Sequence, residues 1–193
     1  MSFQFDKRHF ENSRPLPALV LVDLCRHRLA NRRGLGHGDT AGILARCRIA
    51  LGHARDAGLA VAFVRDAVRA KKQPGTDWVK GFEPRRDDMV FERRSPSCYA
   101  NPYFEESARA ARSLVIAGFL GRGGCLSTAV DAIRAGNAIT FLDDATVDPV
   151  AAPMLGMVAQ LNKFANLEIS ATSTGSWIAS MGSIGRQRAR AVR

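Results

Sequence analysis

The sequence predicts an α/β fold: a three-layer α/β/α sandwich around a six-stranded, mostly parallel, doubly wound sheet. Three observations predict it. Six short apolar runs recur along the 193 residues. Segments of helical period separate most of them. Several runs end in a charged residue, as strands buried on both faces do where they leave a sheet. A chain of this length fits one domain and buries about 70% of its unfolded surface.

The first run, "PALVLVD" (17–23), is continuous and apolar up to its terminal carboxylate. "GLAVAFVRD" (58–66) repeats the pattern, and "DMVFER" (88–93), "RSLVIAGF" (112–119), "NAITFLDD" (137–144) and "NLEISAT" (166–172) complete the six. Residues 39–58 read as a helix with an Asp or Thr N-cap, an apolar stripe of Ile43, Cys47, Leu51 and Ala54, and a stop at Gly58. Residues 101–112 place Asn before Pro at the first helical position, with acids in the first turn. Residues 125–137 carry Leu126, Ala129, Val130 and Ile133 and stop at Gly136, and residues 148–166 form a further helix limited or kinked by Pro153. Between the second and third strands lies a long polar connection, "AVRAKKQPGTDWVKGFEPRR", expected to serve as an edge, a lid or an oligomer contact. Residues 1–14 read as an extension, 15–172 as the domain, and 173–193 as a tail with no clear period beyond "WIASM".

The start of the chain has no apolar h-region, and no segment reaches the length of a membrane helix, so the expectation is a cytoplasmic protein with no membrane partner. The formal net charge is +10, of which "RQRARAVR" supplies four, leaving +6. The other basic residues are scattered without aromatic interleaving or a helix-turn-helix cue. That pattern fits a solvated surface that attracts small anions better than it fits a nucleic-acid partner, and the last residues read as a disordered end. Four cysteines (Cys25, Cys47, Cys98, Cys125) are widely spaced and read as reduced thiols. No ligand spacing supports a metal site, although His27 or His37 with Asp23 offers the elements of one, and no cofactor is implied.

In an open parallel sheet the ligand sits beyond the carboxyl ends of the strands. That rule selects Asp23, Arg93, the turn 121–125 and Asp143/Asp144. "GFLGRGGCLSTAVDA" (118–132) is the most informative stretch, because four glycines lead from a strand into a helix that opens beside a cysteine. It matches neither G-x-G-x-x-G nor a P-loop, so a nucleotide site is a weak reading.

With those residues in place, roughly residues 15–172 resemble the isochorismatase-like, or cysteine, hydrolases. "ALVLVDLCRHRL" looks like the family's first strand and places its catalytic Asp at Asp23. "RRSPSCY" is similar to Lys-x-x-x-Ser-Ala-Phe, with Ser97 and Tyr99 in the Ser and Phe positions and Arg93 in place of Lys. The motif Gly-x-x-Thr-x-x-Cys-Val-x-x-Thr-Ala-x-Asp-Ala aligns Gly118, Thr128, Ala129, Asp131 and Ala132. That register puts the nucleophile position at Gly124 and the Val position at Cys125. The Gln and Phe usual after the first Asp are Cys25 and Arg28.

The resemblance implies a hydrolase in which a Cys, an Asp and a Lys converge at a helix N-terminus whose amides hold the oxyanion. A Gly-Cys pair there resembles the isochorismatases proper, which cleave a vinyl ether with an Asp acid and no covalent nucleophile. By that likeness Asp23 is the proton-transfer residue, Arg93 binds a substrate carboxylate bidentately, and Gly123, Gly124 and Tyr99 contact substrate; Arg122 in the turn reads as a surface charge or a further anion contact. Successive helical residues differ by about 100°, so Cys125 faces the packing side with Leu126 and Ala129. It reads as a small core residue, or as a displaced nucleophile if the turn is shifted. Three functions stay open: a hydrolase of a small carboxylated vinyl ether or amide without a Cys intermediate, a cysteine amidase using Cys125, and an inactive small-ligand-binding or scaffold protein. The family also implies a homo-oligomer, a dimer or tetramer.

Overall fold

The computed structural model describes residues 17–30, 40–67, 78–120, 123–147, 156 and 169–191. Arg122 and the helix expected over 148–166 fall outside the described residues, apart from Gly156. Six strands, β1 (Ala18–Val22), β2 (Val61–Asp66), β3 (Met89–Arg93), β4 (Ser113–Phe119), β5 (Ala138–Val147) and β6 (Ile169–Thr172), form one sheet in the order β3-β2-β1-β4-β5-β6. Every pairing is parallel. The helices are α1 (Arg26–Ala30), α2 (Thr40–Asp56), α3 (Pro102–Ala111), α4 (Gly124–Ala135) and α5 (Thr174–Ala191). A 3-10 turn, Cys98–Ala100, precedes α3.

Strand β1 lies at the centre and is buried along its whole length. Its alternate residues feed two cores, as a period of two requires. Leu19 and Leu21 join Cys47, Leu51 and Ala54 of α2 and Trp177 of α5 on one face. Val20 and Val22 join Phe104 of α3 and Cys125, Ala129 and Ala132 of α4 on the other. Helix α2 stops at Gly58, whose φ of 67° glycine adopts without steric cost. Asn101 caps α3 by accepting from the N–H groups of Tyr103 and Phe104.

Three expectations need correction. The segment after β2 is not polar throughout: Trp78, Val79 and Phe82 are buried, and Trp78 packs edge-on against Phe63 at 5.3 Å. The tail forms helix α5, because Trp177, Ile178 and Met181 fall on one face and pack against the core. Strand β5 runs on to Val147, so Asp143 and Asp144 lie within it, not beyond it. Asp144 instead caps α5, accepting from the Thr174 N–H at 2.8 Å and its hydroxyl at 2.7 Å.

The tightest approach in the sheet is at Gly118, which has a φ of 112°. A Cβ there would lie 2.2 Å from the Val22 carbonyl oxygen. The β4–β5 register shifts between Ile116 and Gly118, and the Thr146 hydroxyl donates to the Ile116 carbonyl at 3.1 Å. This bulge redirects the chain toward the start of α4. Gly118→Ala therefore combines a forbidden φ with a backbone clash, and we expect a loss of about 3 kcal/mol or more in urea unfolding.

The four cysteines are buried. Burial pushes the Cys47 thiol up to about 12 and the Cys98 thiol to about 11, from an ordinary value of 9.0. A raised thiol leaves stability intact below pH 9 and erodes it as pH climbs toward the folded-state values. Urea unfolding between pH 9 and 11 should show a decline of about 1.4 kcal/mol per pH unit for each such thiol.

Candidate active site

The order of the strands places a switch point between β1 and β4, where the chain first leaves the centre in one direction and then in the other. Crevices open at such points beyond the carboxyl ends. Here a cavity of about 210 Å³ is lined by Asp23, Arg28, Asp66, Arg93, Arg94, Ser95, Pro96 and Leu120.

Asp23 follows β1 directly and is 2% exposed. Its φ of 51° lies in the left-handed region, which Asp tolerates better than most residues. The backbone is held there from both sides. The Asp23 N–H donates to the Val64 carbonyl at 2.8 Å, and the Val79 N–H donates to the Leu24 carbonyl at 3.0 Å. Cys25 also bridges antiparallel to Trp78, so the buried half of the long connection fixes the loop carrying Asp23.

Among the described residues each carboxylate oxygen of Asp23 has one partner. Oδ1 accepts from the Asp66 N–H at 3.0 Å, and Oδ2 accepts from Arg93 Nη2 at 2.9 Å. Arg93 closes β3 two strands away and reaches back across β2 to make this buried ion pair. Its Nη2 also donates to the Leu120 carbonyl at 3.0 Å, and its Nη1 donates to the carbonyls of Ser95 and Pro96. The two Nη groups are thus spent on protein acceptors, and the buried Nε has no hydrogen-bond partner among the described residues. The guanidinium is a strut between strand ends, not an open bidentate fork for a substrate carboxylate.

Position 124 faces this pair. A Cβ on Gly124 would lie 3.9 Å from Arg93 Nη1, 3.4 Å from the Pro96 carbonyl oxygen and 2.8 Å from Leu120 Cβ. Gly123, with a φ of 71°, is the N-cap of α4. Cys125 points elsewhere: it is fully buried in the apolar cluster with Val22, Ile116 and Ala129. The residue after it departs from expectation, since Leu126 is 48% exposed. The face of α4 that packs is Cys125, Thr128, Ala129 and Ala132, because the Thr128 hydroxyl accepts from the Cys98 N–H at 3.2 Å and docks the 3-10 turn.

Tyr99 does not reach the cavity. Its hydroxyl donates to Asn137 Oδ1 at 2.9 Å, its ring packs edge-on against Phe104 at 5.2 Å, and burial raises its phenol above the ordinary range. Asn137 Nδ2 in turn donates to the Ala108 carbonyl at 2.7 Å, so this is a structural network joining the 3-10 turn, α3 and the start of β5. Ser97 caps the same turn, accepting from the Tyr99 N–H.

Sequence reasoning missed Asp66, Arg28 and Arg94. The carboxyl-end rule applies to β2 as well, and the terminal Asp of "VAFVRD" was its signal. Arg94 stands beside Arg93 in the sequence, and Arg28 occupies the place of a usual Phe. Among the described residues no cluster of three or more His, Cys, Asp or Glu side chains suits a metal ion, and no helix is long and apolar enough to cross a membrane.

The Isochorismatase domain family matches residues 17–167. The chain belongs to the isochorismatase family. Its fold is shared with an isochorismatase from Pseudomonas putida (19% identity, 88% of this chain and 96% of that one, TM-score 0.63). A cysteine hydrolase from Pseudomonas syringae pv. phaseolicola is similar as well (16% identity, 86% and 92% covered, TM-score 0.66). So is the N-carbamoylsarcosine amidase from Thermoplasma acidophilum (19% identity, 82% and 96% covered, TM-score 0.59). At these identities the likeness is one of fold. No curated protein matches the sequence. Within this isochorismatase-family frame the buried Asp23–Arg93 pair holds the strand ends together, so removing one partner strands the other's charge. Arg93→Met should cost about 3–5 kcal/mol in chemical denaturation. Arg93→Lys should recover only part of it, since one ammonium cannot span the same acceptors.

Proposed function

We propose that the protein is an isochorismatase-family hydrolase that cleaves a small carboxylated vinyl ether or amide by direct attack of water. The observation that carries this reading is the glycine at position 124. A Cβ there would meet Leu120 Cβ at 2.8 Å before the Pro96 carbonyl oxygen and Arg93 Nη1, so no nucleophilic side chain is seated at 124, whereas Cys125 lies in the apolar core.

Asp23 is the proton-transfer residue. Each of its oxygens keeps one lone pair after its one hydrogen bond among the described residues, and Asp23 lines the cavity. With an amide, Asp23 takes a proton from the attacking water and returns it to the leaving nitrogen. With a vinyl ether, the protonated carboxyl gives its proton to the methylene carbon, water adds to the resulting oxocarbenium carbon and returns a proton to the carboxylate, and the hemiketal collapses to a keto acid and an alcohol. Arg93 orients the carboxylate and keeps a countercharge beside it throughout. Gly124 lets Leu120 and the Pro96 carbonyl close on the helix start, where the first N–H groups of any helix lack intrahelical acceptors. Arg122 is retained as an anion contact in the glycine turn and a cytoplasmic setting as a reading of the sequence, while self-association into a dimer or tetramer follows the family resemblance.

A second reading, a ligand-binding member without turnover, has its own support: Arg93 ties up an oxygen of Asp23 in a buried ion pair. A cysteine amidase using Cys125 is the least supported of the three, since that thiol is fully buried.

The test is a screen of small carboxylated vinyl ethers and amides, read by release of a keto acid or of ammonia. Asp23→Asn, which keeps the backbone geometry accessible, should lower turnover by about a hundredfold or more with an unchanged circular dichroism spectrum. Cys125→Ala should retain activity. Activity that survives in Asp23→Asn, or is lost in a folded Cys125→Ala, overturns the mechanism. A wild-type protein inert across the screen favours the binding reading.

A further inference from the structure

A second cavity, of about 340 Å³, opens at the other edge of the sheet, where the strands begin. Its floor is Ala18 of β1, Ala62 of β2 and Phe91 of β3, and its roof is Phe104, Ala108 and Ala111 of α3. The cavity arises because Ala108 and Ala111 face Ala18 and Ala62, so the helix and the sheet oppose small side chains and leave a gap between their layers. Strands β1 and β3 run from here to Asp23 and Arg93, so this cavity and the candidate active site lie at opposite ends of the same strands and share no lining residue.

Three properties of the lining define what fits. Among the described residues no ionisable side chain lines the cavity, so a charged ligand would shed its hydration there without a partner. The volume falls at the lower end of the range for small-molecule sites, enough for one substituted ring. The third property is aromatic geometry. Phe91 and Phe104 meet edge to face with ring centres 5.5 Å apart, and Phe104 meets Tyr99 in the same way at 5.2 Å. A further ring extends this series and gains the same quadrupole attraction. Ser107 adds a hydroxyl to the lining, and its Oγ donates to the Tyr103 carbonyl at 2.8 Å, which leaves its lone pairs to accept from a ligand.

We propose that this cavity is a second binding site, for a small uncharged molecule with a single aromatic ring. An empty apolar space deprives its walls of contacts on one side, and a ring restores them, which is why cavities lined by aliphatic and aromatic side chains take up benzene. The site stands apart from the hydrolase reading, because it binds its ligand whether or not turnover takes place at the other end of the strands.

The experiment is nuclear magnetic resonance on the full chain with isotope-labelled methionine methyl groups. Met89 lines the cavity, whereas Met181 packs against the core on the opposite face of the sheet. The probes are benzyl alcohol, benzoate and cyclohexylmethanol. We expect benzyl alcohol to shift the Met89 methyl saturably, with a Kd of about 1 mM or tighter, and to leave Met181 in place. Benzoate, with the same ring and a full charge, should bind about tenfold more weakly or worse. Cyclohexylmethanol, which has the size without the quadrupole, should bind about threefold more weakly. Ala111→Phe places a ring of the protein's own in the space and should weaken benzyl alcohol by about tenfold or more. Ala110→Trp, at an exposed position of the same lining, should do likewise and keeps the test decisive if Ala111→Phe does not fold. A Met89 shift that is absent or never saturates overturns the site, including the case in which residues 1–16 or a second copy of the chain already fill the space. Wild-type affinity in a folded Ala111→Phe or Ala110→Trp protein overturns it too, as does benzoate binding as tightly as benzyl alcohol. Cyclohexylmethanol binding as tightly overturns the aromatic selection.

Discussion

One guanidinium holds the carboxyl end of this sheet together. Arg93 leaves β3, crosses above β2, and ends at Asp23 after β1, with further bonds to the carbonyl of Leu120 after β4 and to those of Ser95 and Pro96. Three chain segments, those leaving β1, β3 and β4, meet on one charged group. Buried at 5% exposure, that charge is tolerable only because Asp23 balances it and backbone oxygens satisfy both Nη groups. Asp23 in turn sits in a backbone conformation rare for a side-chain-bearing residue, imposed by β2 on one side and the Trp78–Val79 segment on the other.

The same constraint explains the turn at the start of α4. The Gly118 backbone presses against Val22 closely enough that no Cβ fits, which brings β4 against β1 and sets Leu120 over the cavity. The helix then begins at a residue whose side-chain direction is already claimed by Leu120, Pro96 and Arg93. Glycine at 124 and arginine at 93 are therefore complementary. A larger residue at 124 would meet Leu120 first, and an unbranched cation at 93 would leave some of the carbonyls bare. The thiol one position later turns a third of a helical turn away and joins the core beneath the sheet.

The strands were legible because burial on both faces demands continuous apolar runs, and β1, β2 and β4 have them. Helix α3 announced itself through Asn101 and Pro102. The tail was harder: its apolar face is only Trp177, Ile178 and Met181 within a polar, glycine-bearing stretch, so its helix depends on docking more than on propensity. Leu126 was misjudged because the period of α4 is set by Thr128 docking the 3-10 turn, an interaction between residues 30 positions apart. Asp144 looked like a strand-end ligand until β5 extended past it and α5 took its carboxylate as a cap.

By itself the sequence determined the fold and the family, and it singled out Asp23, Arg93 and Gly124 as candidates at the strand ends. Those follow from local period and from motif register, which neighbouring residues carry between them. Only the tertiary structure decided how the charges are shared. Arg93 turned inward to Asp23, Tyr99 turned to Asn137, and Arg28 and Arg94 were left facing the cavity. The physical reason is that a side chain's partner depends on which strand ends converge and in what order. That order, β3-β2-β1-β4, is a property of the assembled sheet, not of any stretch of chain.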